Sequence, residues 1–75
     1  MDHSITIDAR WDHEARVWLA TSDDVRGLVV EADTWPGMIS EVRLLLPELL
    51  ELAGRQVGNL SLTFKAEEHL DLANA

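Results

Sequence analysis

The chain has 75 residues and no cysteine, which leaves room for one domain and excludes disulfides and thiolate metal sites. Six Lys and Arg against fourteen Asp and Glu give a formal net charge of −8, which repels phosphate backbones and attracts basic proteins, so we expect no direct nucleic-acid binding. No stretch reaches the ~20 apolar residues that span a bilayer, and the N-terminus has no signal-peptide pattern, so we expect a cytoplasmic protein without membrane contact.

The spacing of apolar residues predicts four strands. Residues 4–11 and 60–65 alternate apolar and polar side chains, which is the period-2 pattern of half-buried strands. Residues 16–21 and 28–32 carry continuous apolar runs, which predict two further strands with both faces covered. Because short loops join the first three strands, we expect these strands to form an antiparallel meander.

One long helix is predicted over residues 34–54. Thr34 can cap its first turn, Pro36 fits that turn because no N–H is needed there, and Gly54 can supply the left-handed residue that ends it. The predicted apolar stripe follows the helical period and comprises Trp35, Met38, Ile39, Val42, Leu45, Leu46, Leu49, Leu50, Leu52 and Ala53. Leu44 points away from this stripe, into the polar face.

These elements predict an α+β fold of order β-β-β-α-β, with a four-stranded sheet of order 3-2-1-4 and the helix on one face. The helix is a crossover connection, so the fourth strand can run parallel to the first. Residues 1–66 are expected to form a single domain. Residues 67–75 are expected to form a tail, either a frayed turn or a disordered segment.

The second and third strands need a cover on the face that the helix does not reach. That face is expected to show Trp18 or Leu19, together with Val29 or Val30. Apolar residues on both faces of so small a sheet favour a second copy of the chain as the cover. We therefore expect a homodimer or a larger homo-oligomer.

The region of the second and third strands resembles HicB-like antitoxin domains. The matching positions are Trp18 and Ala20, then Asp24, Val25 and Gly27, and then Asp33 and Thr34. A narrower resemblance includes Pro47, which lies within the helical run LLPELL. By that run and the second-strand region, the chain is similar to the small single-domain bacterial family called domain of unknown function 1902.

The resemblance implies a truncated, catalytically inactive ribonuclease-H-like fold that binds and neutralises a small basic toxin, a HicA-like ribonuclease. It implies no enzyme activity and no cofactor. We interpret Asp24, Gly27, Asp33, Thr34 and Pro47 as a structural signature made of turns, a helix cap and a helix bend. Such a signature is evidence for a fold rather than for a chemistry.

The pattern of acidic and histidine residues predicts no catalytic, cofactor or metal site. Asp8 and Glu41 are expected on opposite sides of the fold, so they do not converge as the carboxylates of a two-metal nuclease must. His3, His13 and His69 are scattered over a terminus, a loop and the tail, which is not a metal-ligand spacing.

We therefore predict a non-catalytic, antitoxin-like protein-binding module. Its candidate interface residues are Trp18, Ala20, Val29 and Leu44, because aromatic and exposed apolar side chains are enriched where proteins meet. The sequence leaves one alternative open, a homo-oligomer with a structural or small-ligand role and no toxin partner.

Overall fold

A computed structural model describes residues 3–55 and 58–73 and confirms the predicted α+β order β-β-β-α-β. The elements are β1 (His3–Asp12), β2 (Val17–Thr21), β3 (Val29–Ala32), α1 (Trp35–Leu52) and β4 (Leu60–Glu67). They form a sheet of order β3-β2-β1-β4, as predicted, in which β1 pairs antiparallel with β2 and parallel with β4. The parallel pair is possible because α1 carries the chain from one edge of the sheet to the other.

The strand register separates two faces of the sheet. Ala9 lies opposite Ala20, and Ala20 lies opposite Val30, so these three residues share the face that packs on α1. We call it the α1 face. The core is formed by residues of this face, of the helix and of the β2–β3 loop: Ile5, Ile7, Ala9, Ala20, Val25, Leu28, Val30, Met38, Val42, Leu46 and Leu50. Alternate residues point the other way, to a face that no described element covers.

The N-terminus of α1 is capped as the sequence predicts. The side-chain oxygen of Thr34 accepts a hydrogen bond of 3.0 Å from the backbone N–H of Gly37. Thr34 itself has an extended backbone, with φ −130° and ψ 154°, which is the usual conformation of a capping residue. Pro36 lies in the first turn, where its missing N–H leaves no hydrogen bond unmade.

The C-terminus of α1 ends through Gly54, which has φ +73°. Its N–H donates to the carbonyl of Glu51 at 3.0 Å, and the N–H of Arg55 donates to the carbonyl of Leu50 at 2.9 Å. This pair of bonds is the Schellman motif, which satisfies two carbonyls that the helix leaves without partners. Left-handed backbone costs glycine little, which explains why the helix ends here.

The buried stripe of α1 differs from the prediction at its C-terminal end. Met38, Val42, Leu46 and Leu50 are the fully buried positions, whereas Leu52 is 85% exposed. Buried residues that recur every four positions turn about 40° per step around a helix of 3.6 residues per turn. By the last turn the stripe therefore faces away from Leu52, and the assignment of this leucine and of the exposed Ala53 to the core is wrong.

The loop between β2 and β3 covers the part of β1 that β2 does not reach. The hydroxyl of Ser22 donates to the carbonyl of Thr6 at 2.6 Å, and the N–H of Thr6 donates to a carboxylate oxygen of Asp24 at 2.8 Å. Two side chains thus replace the backbone partners of a strand edge. The loop then turns at Gly27, whose φ of +87° favours glycine. In this loop Asp24 therefore acts through its hydrogen bond to β1, and Gly27 through its left-handed backbone.

Candidate functional site

The face of the sheet opposite α1, which we call the open face, combines an apolar end with a charged end. Two rows of paired residues cross it: Val29, Thr21, Asp8 and Lys65 in one, and Glu31, Leu19, Arg10 and Glu67 in the other. The apolar end lies on β2 and β3, where Val29 is 67% exposed and Leu19 is half-buried. The charged end lies on β1 and β4.

The charged end contains a groove of about 360 Å³. Its side chains alternate in sign across the two strands, with Asp8 paired to Lys65 and Arg10 paired to Glu67 by register. Thr21 completes the lining from β2. Within the described ranges no ion pair shorter than 4.0 Å joins these four charges to one another, so each can form ion pairs with a partner molecule.

The structure separates the four predicted interface residues. Val29 lies on the open face, and Leu44 lies 67% exposed on the outer surface of α1, so these two belong to opposite sides of the molecule. Ala20 is 0% exposed in the core, and its assignment to an interface is wrong. Trp18 is on the α1 face as well, because its register partner is Trp11 and it packs against the core.

The error at β2 has a physical cause. An uninterrupted apolar run has no period-2 signal, so the sequence alone does not tell which of two neighbours faces the core. The pairing with β1 shows which neighbour faces the core. Ala20 lies opposite Ala9 on the α1 face, and because neighbouring residues of a strand point to opposite faces, Leu19 is on the open face. Leu19, which the sequence named only as an alternative to Trp18, is the one of the two that lies on the open face.

Trp18 is part of a row of aromatic rings on the α1 face. Its ring centroid lies 5.5 Å from that of Trp11 and 4.9 Å from that of Trp35, and Trp35 lies 6.1 Å from Phe64. All three contacts are edge-to-face, the arrangement in which the positive edge of one ring meets the negative face of the next. These half-buried rings close the end of the core at the start of α1.

The acidic and histidine side chains are dispersed. No group of three or more His, Cys, Asp or Glu in residues 3–55 and 58–73 is placed to hold a metal ion. Asp8 lies on the open face and Glu41 is exposed on α1, with the sheet between them. The His13 ring lies 3.0 Å from the carbonyl of His69, which joins the β1–β2 turn to the segment after β4.

Within residues 3–55 and 58–73, α1 is too polar to cross a membrane.

Comparison with known proteins places the chain among bacterial proteins of undetermined role. The crystal structure of the hypothetical protein TTHA1013 from the extreme thermophile Thermus thermophilus is similar, with a TM-score of 0.73 and 36% sequence identity over 96% of this chain and 100% of that one. None of the curated protein sequences matches significantly. A family model, Domain of unknown function (DUF1902), matches residues 4–71. The chain therefore belongs to the family of this domain of unknown function.

Proposed function

We propose that this chain is a non-catalytic, antitoxin-like protein-binding module in the bacterial cytoplasm, and that its open face receives a small basic protein. The observation that carries the proposal is the composition of that face. Leu19 and Val29 form its apolar end, and Leu19 has Glu31 on one side and Arg10 on the other as its register partners.

This composition suits a protein partner. Interfaces combine an apolar centre with a polar rim, and apolar side chains that would otherwise remain in water supply the binding free energy. Acidic side chains outnumber basic ones by three to two in the two rows of this face, and together with the net charge of −8 they speed association with a positively charged partner. A HicA-like ribonuclease is the proposed partner because Trp18, Ala20, Asp24, Gly27, Asp33 and Thr34 match the HicB-like pattern.

The test is a co-purification from a host that carries the gene, with Leu19→Asp as the variant. We expect a small basic protein to copurify with the wild type and to be lost with Leu19→Asp, because a carboxylate at the apolar end of the open face resists desolvation. Leu52→Asp is the matched control, since Leu52 is 85% exposed on α1 and remote from the open face. The captured protein should cleave RNA when alone and lose that activity when this chain is added.

Two results would contradict the proposal. One is a copurifying protein that Leu19→Asp and Leu52→Asp retain equally, since the open face would then play no part. The other is the capture of no further protein by the wild type in a host that expresses it.

A small-ligand role is the second candidate, and the groove between Asp8, Arg10, Lys65 and Glu67 is the observation that favours it. Alternating charges at this spacing fit a zwitterion such as an amino acid better than a purely anionic ligand. Thermal-shift screening of zwitterionic metabolites distinguishes the candidates. A ligand whose stabilisation disappears in Lys65→Ala supports the small-ligand role, whereas the absence of any shift leaves the protein-binding role as the better account.

A further inference from the structure

We propose that two copies of this chain pair antiparallel along β4, with the segment after β4 of each copy extending along β4 of its partner. The proposal concerns the edge of the sheet and leaves the apolar end of the open face, Leu19 and Val29, accessible. It does not rest on the partner proposed above. It also differs from the expectation drawn from the sequence, in which a second copy covers a face of the sheet.

The first observation is that β4 has an unpaired edge. It is the outermost strand of the sheet, eight residues long, and it pairs with β1 on one side only. About half of its backbone N–H and C=O groups therefore point away from β1, toward no other described strand. Such an edge is a template for one more strand.

This edge lacks two of the features that prevent edge pairing, proline and a β-bulge. The strand LSLTFKAE contains no proline, and its register with β1 is continuous over all eight residues, without a bulge. The other edge of the sheet, β3, has only four residues. Of the two edges, β4 is therefore the one that offers a long and regular row of backbone groups.

The apolar side chains of β4 are incompletely covered. Ile5 and Ile7 on β1 are 1% and 0% exposed, whereas their register partners Leu62 and Phe64 are only half-buried. Coverage by α1 thus declines from the centre of the sheet toward β4. A neighbouring strand on the free side would bury the remaining apolar surface of this edge.

Charge decides the register. In an antiparallel pair of strands related by a two-fold axis, each residue lies opposite a residue of the partner that is on the same face of the sheet. If the axis passes at Ala66, Lys65 lies opposite the partner's Glu67. An axis at Lys65 would oppose two lysines, and an axis at Glu67 would oppose two glutamates. With the axis at Ala66, a row of alternating charge crosses the interface: Asp8, Lys65, the partner's Glu67 and the partner's Arg10.

The same register accounts for two exposed leucines. Leu70 and Leu72, which follow β4, are 68% and 86% exposed. With Ala66 on the axis, they lie opposite the partner's Leu62 and the partner's Leu60, on the face that carries the apolar residues of β4. The register that pairs the charges thus also pairs the exposed leucines with the half-buried ones.

The dimensions of the chain agree with an elongated molecule in which the segment after β4 continues beyond its contact with His13. The radius of gyration is 14.3 Å, whereas a compact domain of this length has about 11 Å. Residues 68–73 are all exposed and form no helix or strand. Pairing from Leu60 to Leu72 would add roughly a dozen backbone hydrogen bonds between the copies, about one for each residue pair.

A charge-reversal cycle tests the register. Glu67→Lys should weaken dimerisation about tenfold, because the two-fold axis creates two like-charge contacts. Lys65→Glu should have a similar effect, and the double variant Lys65→Glu/Glu67→Lys should return the dissociation constant close to the wild-type value. Sedimentation equilibrium measures the constant. Near-UV circular dichroism of the three tryptophans verifies that each variant is folded.

A cysteine placed on the axis supplies a second test, because the chain has no cysteine of its own. Opposite residues of an antiparallel pair are close enough for a disulfide, so Ala66→Cys should form a covalent dimer rapidly under mild oxidation. Leu52→Cys, at a position 85% exposed on α1, is the control for random collision and should react slowly.

Four outcomes would overturn the proposal. The first is a wild-type chain that remains monomeric at high micromolar concentration. The second is a double variant that associates as weakly as either single charge reversal. The third is equal cross-linking of Ala66→Cys and Leu52→Cys. If Leu19→Asp abolishes association while the charge reversals do not, the copies meet through the open face, and the edge-pairing proposal fails.

Discussion

Gly37 shows how one atom of the helix cap restricts a residue. A Cβ on Gly37 would lie 2.8 Å from the side-chain oxygen of Thr34, which is closer than real Cβ contacts allow. The other nearby atom, the Cβ of Ala32, would be at 3.7 Å, an ordinary contact distance. The position therefore accepts only glycine as long as Thr34 caps the helix.

We predict that Gly37→Ala leaves the free energy of unfolding unchanged or lowers it by up to about 0.5 kcal/mol, because the loss of the N-cap costs about 1 kcal/mol and the better helix former returns about 0.5–1 kcal/mol. The sign is informative, because alanine in place of glycine within a helix normally stabilises by about 0.5–1 kcal/mol. In a Thr34→Ala background the obstructing oxygen is absent, so the same substitution should stabilise the protein. Urea unfolding of the four variants measures both effects. An identical effect of Gly37→Ala in the two backgrounds would rule out the steric explanation.

At the scale of elements, α1 shows that a helical stripe is defined by the surface it packs on. Leu50 is 2% exposed and Leu52 is 85% exposed, although both fit an apolar stripe drawn from the sequence. Beyond Leu50 the helix has only two residues left, Glu51 and Leu52, and its end is closed by Gly54. Apolar residues beyond Leu50 contribute little to the core.

We predict that Leu50→Ala lowers the free energy of unfolding by about 2–4 kcal/mol, because it opens a cavity in the core. Leu52→Ala should change it by less than about 0.5 kcal/mol, as expected for an exposed residue. The pair is a matched comparison, since both are leucine-to-alanine changes near one end of the same helix. Thermal or urea unfolding measures both. Comparable losses would mean that Leu52 is covered in solution, for example by a partner.

At the scale of the whole molecule, the proposed β4 dimer links folding to association. Anything that binds only the folded chain stabilises it by mass action, and here the ligand is a second copy. The melting temperature should therefore rise with protein concentration, by about 5 °C per hundredfold for a domain of this size.

The leucines after β4 identify the surface responsible. Leu70→Asp/Leu72→Asp should remove most of the concentration dependence, because the partner's half-buried leucines lose their apolar neighbours. Leu52→Asp, also at a highly exposed leucine, should leave the dependence unchanged. A melting temperature that does not vary with concentration in the wild type would contradict the dimer.

Local chemistry made much of the fold predictable. The alternation in β1 and β4, the Thr34 cap and the Gly54 terminus each depend on residues close together in sequence. The structure agrees at these places, because hydrogen bonds and backbone preferences within a few residues decide the conformation. The sheet order also followed, since short loops and one helical crossover leave few alternative topologies.

The candidate surfaces were less predictable, because they depend on pairing between distant strands. β2 has no period-2 signal, so the sequence does not show whether Trp18 or Leu19 faces the core. The register with β1 places Trp18 on the core side. The role of Asp24 also required the structure, because its carboxylate binds the backbone of Thr6, 18 residues away.

By itself the sequence determined the number, type and order of the elements, the ends of the helix and the acidic charge, since each depends on composition or on neighbours along the chain. Only the tertiary structure decided which face each apolar residue occupies and which edge of the sheet is left open. These properties arise when β4 returns beside β1 and α1 covers one face. The physical reason is that register and coverage are set by contacts between residues far apart in sequence, and a pattern of single residues does not encode them.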